Sequence, residues 1–436
     1  MNKEHVKTVM LTLLVIVSCI LTYKSWSYTA EFETIDTTLS PSPMASQGED
    51  VTFGDVIRAY QIVYATEQEE IGTVDKDVIA EIRKLFNEKE VQFLNHPESI
   101  NQLKADALIE GSEMLLIDYY SEIPARTFFT MLKSEIDENF VDFQFDRVFL
   151  ELHDNYVVFN FFNSERTMFI PYRINVGKNE IIQIINRNSD KFTDYSMVIT
   201  NEATSNRLTA IYGPKSPGKK TVHQFIPSTI SVSAMNETLF TQSNIEQKQT
   251  KDITVYEADT EIATYTSSNY QYTFMNLKGS DVNELSPYRS IEKSFIFLNG
   301  HMGLTSRYTL FEYDGDDKLV VYRPLLNNYI VFSDEIMSEI YVKIGKTTIT
   351  EYSRPMIQLN ANIPSDLSVT LDDIEKVRYQ IVLHEDYELS KVSKIVIAYD
   401  LKHNTDQSEL NVVEYTPNWY ILYDGEWIKY DIGEEA

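Results

Sequence analysis

The chain has 436 residues, 43% of them hydrophobic and 12% aromatic, which is enough to bury two or three ordinary cores and excludes a disordered or fibrous protein. Lys and Arg total 38 against 66 Asp and Glu, a formal charge of -28, so the surface repels nucleic-acid phosphates and anionic lipid headgroups. The single cysteine, Cys19, excludes an internal disulfide and a thiolate metal cluster, and 14 glycines against 28 tyrosines and 22 phenylalanines favour aromatic strands over nucleotide-cradling loops.

Residues 1–28 carry Lys3, Lys7 and Lys24 against only Glu4. Without those three lysines and one glutamate the remainder holds 35 basic and 65 acidic residues, a net of -30. Between Lys7 and Lys24 runs TVMLTLLVIVSCILTY, whose uncharged residues cover about 24 Å as a helix. That is slightly short of a bilayer core. Snorkelling lysines and an aromatic belt of Tyr23, Trp26 and Tyr28 bridge the difference. The pattern predicts an uncleaved transmembrane anchor over 1–28 with a cytoplasmic N-terminus, because Lys3, Lys7 and the free amine precede the apolar run while Glu31, Glu33 and Asp36 follow it. The remaining 400-odd residues are then extracytoplasmic.

Two other readings of this segment compete. A cleavable signal peptide would rely on Ser25 and Ser27 around a bulky Trp26. The run Ile16-Val17-Ser18-Cys19 fits a bacterial lipobox that would acylate Cys19, although the apolar stretch continues through Ile20 and Leu21. As an anchor, the helix stacks Thr8, Thr12, Val15, Cys19 and Thr22 on one face, and small faces are where membrane helices approach each other. Thr and Cys are also tolerated anywhere in such a helix.

Residues 29–50 read as a flexible tether. Their core, TIDTTLSPSPMASQGED, is rich in Thr, Ser and Pro and reaches about 50 Å if extended. A first folded block, 51–176, opens on the apolar FGDVIRAYQIVYA. The spacing of Val78, Ile79, Ile82, Leu85 and Phe86 predicts a helix from Asp75 to about Phe93. A strand follows over SEMLLIDYY, then a helix opened by Pro124, then a meander of three aromatic strands near 146–152, 156–162 and 167–174.

The second block, 177–280, begins with the helix NEIIQIINRN and continues as the strands YSMVIT, NRLTAIY, DITVYEA and NYQYTFM. Residues 212–220 and 241–252 read as loops. The third block, 281–436, has a helix from Pro287 to about Leu298 and the strands RYTLFEY and KLVVYRP around an Asp-Gly-Asp-Asp turn at 314–317. A hairpin turning at Ile344-Gly345-Lys346, a helix around LDDIEKVRYQIV, the strand KIVIAYD and the terminal YTPNWYILYDGEWIKY complete it.

Catalytic signatures mostly dissolve on inspection. Ser290-Ile-Glu-Lys293 and Ser216-Pro-Gly-Lys219 fit S-x-x-K, but about one or two such matches arise by chance in a chain this size, and Lys346-Thr347-Thr348 lies too close to the first to complete a penicillin-recognising site. His5, His96, His153, His223, His301, His384 and His403 show no metal spacing. His384-Glu385-Asp386 reads as a solvated helix end, and Asp314, Asp316 and Asp317 as a hairpin turn without a twelve-residue calcium pattern. Carboxylate pairs for glycoside hydrolysis abound by chance among so many acids, and only geometry selects one. No catalytic, metal or cofactor-binding residue is expected.

The opening MNKEHVKTVMLTLLVIVSCILTYKSW, together with RYTLFEYDG, VVYRPLLNNYIVF and YTPNWYILYDGEWIKY, resembles the YycH (WalH) family of low-GC Gram-positive bacteria and, more loosely, its companion YycI. The resemblance implies an α+β fold with a single transmembrane helix and three extracytoplasmic domains of helices packed on antiparallel sheets. It implies a regulator without catalysis or cofactor, anchored in the cell membrane beside the sensor kinase of the WalK/WalR (YycG/YycF) system that controls cell-wall metabolism. The expected partners are WalK (YycG) and a YycI (WalI)-type protein, with no nucleic acid. The Thr8, Thr12, Val15, Cys19 and Thr22 face is then the candidate contact in the membrane. Outside it the candidates are Arg323, Pro324, Leu325 and Leu326 with Trp419 and Trp427, since exposed Arg and Trp make interface anchors; ordinary core packing is the competing reading for the tryptophans. A wall hydrolase and a lipoprotein carrier are the rival classes.

Overall fold

The computed structural model describes residues 51–94, 98–99, 113–135, 140, 142–163, 168–199, 210–279, 285–301, 303–304, 307–345, 348–404 and 411–430, with Ser18 and Glu33-Thr34. Seven α-helices and extensive, mainly antiparallel sheets among these residues make a mixed α+β fold. The anchor expected over 1–28, its face Thr8, Thr12, Val15, Cys19 and Thr22, and the tether 29–50 lie outside the described residues apart from those three positions. No described helix is long and apolar enough to cross a membrane.

A ten-stranded sheet is built by the first half of the chain. Its order runs Ala210–Pro214, Thr193–Ile199, Glu70–Thr73, Gln61–Ala65, Met114–Pro124, Gln144–Leu152, Val157–Asn163, Met168–Ile174 and Val91–Phe93, with Glu98–Ser99 also on the Met168–Ile174 strand. The expected meander is its centre, pairing Arg147 with Phe162 and Phe159 with Tyr172. Helices Lys76–Lys84 and Ala125–Met131 cover one face with Phe86, Phe128 and Phe129. Edge-to-face contacts such as Phe145 on Phe161, 4.6 Å between centroids, and Phe86 on Phe159, 4.8 Å, fill the layer between.

The second sheet has fifteen strands. From Glu33–Thr34 it passes through Glu246–Gln249, Ile253–Ala258, Glu261–Thr266, Gln271–Asn276, Ile349–Pro355, Ile340–Ile344, Leu319–Leu326, Tyr329–Phe332, Val392–His403, Val413–Tyr423 and His223–Thr229 to Ile357–Ile363. Tyr308–Asp314 and Glu426–Lys429 attach to its middle, and helices Pro287–Gly300, Val232–Leu239 and Ile374–Leu383 pack on it. Tyr329–Phe332 runs parallel to Val392–His403. It is reached through Asn327 and Asn328, both at positive φ (49° and 71°), the conformation of a two-residue type I′ turn.

Three sequence expectations are corrected. The helix predicted from Asp75 to about Phe93 stops at Lys84 and Val91–Phe93 is an edge strand, because Glu88 turns to φ 58° and donates its N–H to the Leu132 carbonyl, 2.7 Å. The loops expected at 212–220 and 241–252 contain strands Gly218–Thr221 and Glu246–Gln249, paired with Ser368–Leu371 and Ile253–Ala258. Both are short strands of polar, largely exposed residues, so they lack the apolar alternation that marks a strand.

Candidate functional site

Two hairpins set out the site. In the first, Tyr308–Asp314 pairs with Leu319–Leu326, and a bulge after Leu310 leaves Phe311 without an opposite residue. Leu310 and Tyr322 point into the main core, whereas Phe311 packs with Val321 on the other side of the sheet. The extra residue turns Phe311 and Glu312 towards the same cavity, as bulges commonly redirect side chains. In the second, Val413–Tyr423 returns as Glu426–Lys429 through Asp424 and Gly425 at φ 51° and 90°, which sets Trp427 opposite Leu422.

These hairpins bring Arg323 and Trp427 together around a pair of phenylalanines. The Arg323 guanidinium lies 4.8 Å over Phe311 and 4.6 Å over Phe332, and Trp427 packs on the same two rings at 5.9 and 5.7 Å. Arg323 also makes a 2.5 Å ion pair with Glu339. Burial lowers its pKa, opposed by the charges of Glu339 and Glu312, yet an arginine remains charged at any physiological pH. The cluster continues into the first sheet, where Tyr120 stacks on Tyr60 at 4.7 Å and meets Phe311 at 6.0 Å and Trp427 at 6.4 Å.

Beside this cluster a cavity of about 460 Å³ opens between the two sheets, lined by Tyr120, Ser121, Glu122, Gln144 and Asp146 from the first and by Phe311 to Tyr313, Lys318, Lys391, Ser393, Lys394 and Trp427 from the second. Asp146 and Lys394 form a 2.5 Å ion pair in its wall. Partial burial raises the Glu312 carboxyl above the usual glutamate range, Asp314 adds to the rise and Arg323 opposes it. Behind this wall Arg147 holds Asp118 with its Nε at 2.6 Å and its Nη2 at 3.2 Å, while Gln61 donates to Asp118 at 2.8 Å.

The residues expected from sequence fall in different places. Arg323, Pro324, Leu325 and Leu326 are half-buried on one strand, Leu325 against the Phe311 cluster and Leu326 against a separate cluster around Tyr399 and Tyr415. Trp427 is half-buried beside the cavity. Trp419 is 3% exposed, packs with Ile374, Val377 and Ile381 and donates its Nε1–H to the Asp372 carbonyl at 3.0 Å, so its indole belongs to a core and not to the surface.

The remaining motifs resolve into structural roles. Ser290 is fully buried and accepts from the Tyr313 hydroxyl at 3.4 Å; Lys346 lies outside the described residues. Asp314 accepts from the Asp316 and Asp317 N–H groups at 2.8 and 3.1 Å, which closes the expected turn, and His384 caps the end of helix Ile374–Leu383. Among the described residues no group of three or more His, Cys, Asp or Glu is arranged to hold a metal. The cavity itself was missed by sequence reasoning. Its one local signal is an isolated charge within an apolar strand, Glu312 in YTLFEY and Lys394 in KIVIAY.

Compared with known proteins, residues 4–190 match the family model described as YycH protein, N-terminal domain, and residues 208–435 match YycH protein, C-terminal domain. Among solved structures, the crystal structure of YycH from Bacillus subtilis superposes with a TM-score of 0.69 at 14% sequence identity, covering 88% of this chain and 98% of that one. At that identity the likeness is one of fold. An uncharacterized protein from Eubacterium rectale aligns over 54% of this chain and 88% of its own at 9% identity, with a TM-score of 0.35. No curated protein sequence matches.

Proposed function

The chain belongs to the YycH family, and from that premise we propose that it is a regulator without catalytic activity, acting on the WalK (YycG) sensor kinase together with a YycI-type partner. The observation that carries this reading is the match of both YycH domains along nearly the whole chain. In the proposed arrangement residues 1–28 span the cell membrane with the N-terminus inside, 29–50 form a tether, and 51–176, 177–280 and 281–436 are three extracytoplasmic domains.

Regulation then needs only differential binding. A partner that packs better against one of two kinase states shifts the population towards that state by the difference in binding free energy. The proposed membrane contact is the Thr8, Thr12, Val15, Cys19 and Thr22 face. The proposed outer contact is the surface around Arg323 to Leu326 and Trp427; Trp419 contributes to it only as support for the adjoining strand.

The test is co-reconstitution of the full chain, the YycI-type protein and the kinase in proteoliposomes, followed by autophosphorylation. A changed rate relative to kinase alone supports the proposal, and an unchanged rate without co-purification overturns it. Thr12→Leu with Cys19→Leu should weaken association in a membrane two-hybrid assay, and unchanged association removes the helix face from the mechanism.

A further inference from the structure

Side chains of both charges line the cavity between the two sheets. Asp146 and Lys394 hold each other at 2.5 Å, and Lys391 is held by Glu388 at 3.1 Å. Among the described residues neither Glu312 nor Lys318 has a hydrogen-bonded or ion-paired side chain, and both line the cavity. They flank the 314–317 turn, where the register Asp314 to Leu319 keeps an acid and a base at the same end of one hairpin. Phe311 and Trp427 supply aromatic lining on the same side of the hairpin as Glu312.

With Lys394 and Lys391 already neutralised by Asp146 and Glu388, an anion entering beside Lys318 also meets Glu312, and a cation entering beside Glu312 also meets Lys318. A molecule carrying both charges satisfies Glu312 and Lys318 together. The volume, about 460 Å³, is that of a small-molecule site. We propose that this cavity binds a small zwitterion of the amino-acid or short-peptide class, its ammonium on Glu312, its carboxylate on Lys318 and its apolar body against Trp427 and Phe311.

The experiment is titration calorimetry of the full chain in detergent with three probes: glycyl-phenylalanine, its N-acetyl form without an ammonium, and its C-terminal amide without a carboxylate. Glycyl-phenylalanine should bind saturably, and each capped form should bind about tenfold more weakly, the loss of one charge-assisted contact. Glu312→Gln should weaken glycyl-phenylalanine and leave the acetylated form unchanged, while Lys318→Gln should do the same with respect to the amide. Both side chains lie outside the cores, and unchanged melting curves verify that the variants fold. Absence of saturable binding, equal binding of the capped forms, or variants indistinguishable from the parent chain each overturns the proposal. The titration contains no kinase, so its outcome is independent of the regulatory reading.

Discussion

Lys394 and Asp146 stand 248 positions apart and meet at 2.5 Å, with side chains 8% and 9% exposed. The contact ties strand Val392–His403 of one sheet to strand Gln144–Leu152 of the other. Two charges taken out of water are costly, and their mutual attraction repays that cost only while both are present. The pair therefore acts as a registration point between the halves of the fold.

Lys394→Ala should cost about 3–5 kcal/mol, because Asp146 stays buried without its cation. The double variant Asp146→Leu, Lys394→Met should recover most of that loss. Urea denaturation of Lys394→Ala and of the double variant reads both changes; a Lys394→Ala protein as stable as the parent contradicts the assignment.

Arg323→Lys should destabilise by about 1–2 kcal/mol although charge is conserved. The ammonium cannot spread over Phe311 and Phe332 while reaching Glu339, as the planar guanidinium does. Thermal melting reads the loss, and a parallel fall in Trp427 emission shift reports loosening of the rings around it.

Asp75 caps helix Lys76–Lys84, accepting from the Asp77 and Val78 N–H groups, both at 3.1 Å, and pairing with Lys191 at 3.1 Å. Burial raises its pKa, but the bonds from Val78, Lys191 and Asp77 outweigh it and hold the carboxyl below its ordinary value. Asp75→Ala should cost about 1 kcal/mol. A lowered folded-state pKa means that this contribution is complete above the unfolded aspartate value of about 4 and is lost as pH falls through the folded one. Hydrogen exchange of the first helical turn should accelerate in the variant at neutral pH and converge with the parent in acid.

Two glycines should respond in opposite directions to alanine. At Gly300, the exposed last residue of its helix, nothing lies within 4 Å of a new Cβ, so Gly300→Ala should stabilise by about 0.4–1 kcal/mol through the unfolded chain. At Gly177 a Cβ would meet the Asp154 backbone oxygen at 2.5 Å. That atom cannot swing aside, and Gly177→Ala should cost about 1–3 kcal/mol. Equal melting temperatures for the two variants would contradict the close approach.

The elements legible in sequence are those whose signal is local. Pro287 opens a helix and Asp314 closes the turn at 314–317, because each mechanism operates within about four residues. Polar strands such as Glu246–Gln249 escaped since only their pairing partners, and not their own pattern, make them strands. Trp419 and Trp427 show the limit most directly. Eight positions apart, they carry the same sequence signal, yet one is sealed under helix Ile374–Leu383 and the other flanks the cavity.

By itself, then, the sequence determined the charge division, the aromatic strands, the capped helices and the resemblance to the YycH family, all properties of short stretches or of their order. Only the tertiary structure decided that Arg323 and Trp427 share Phe311 and Phe332, and that Glu312, Lys318, Asp146 and Lys394 line one cavity. Those meetings depend on sheet order and on a single bulged residue at Phe311, and in a strand one residue of shift sends every side chain to the opposite face.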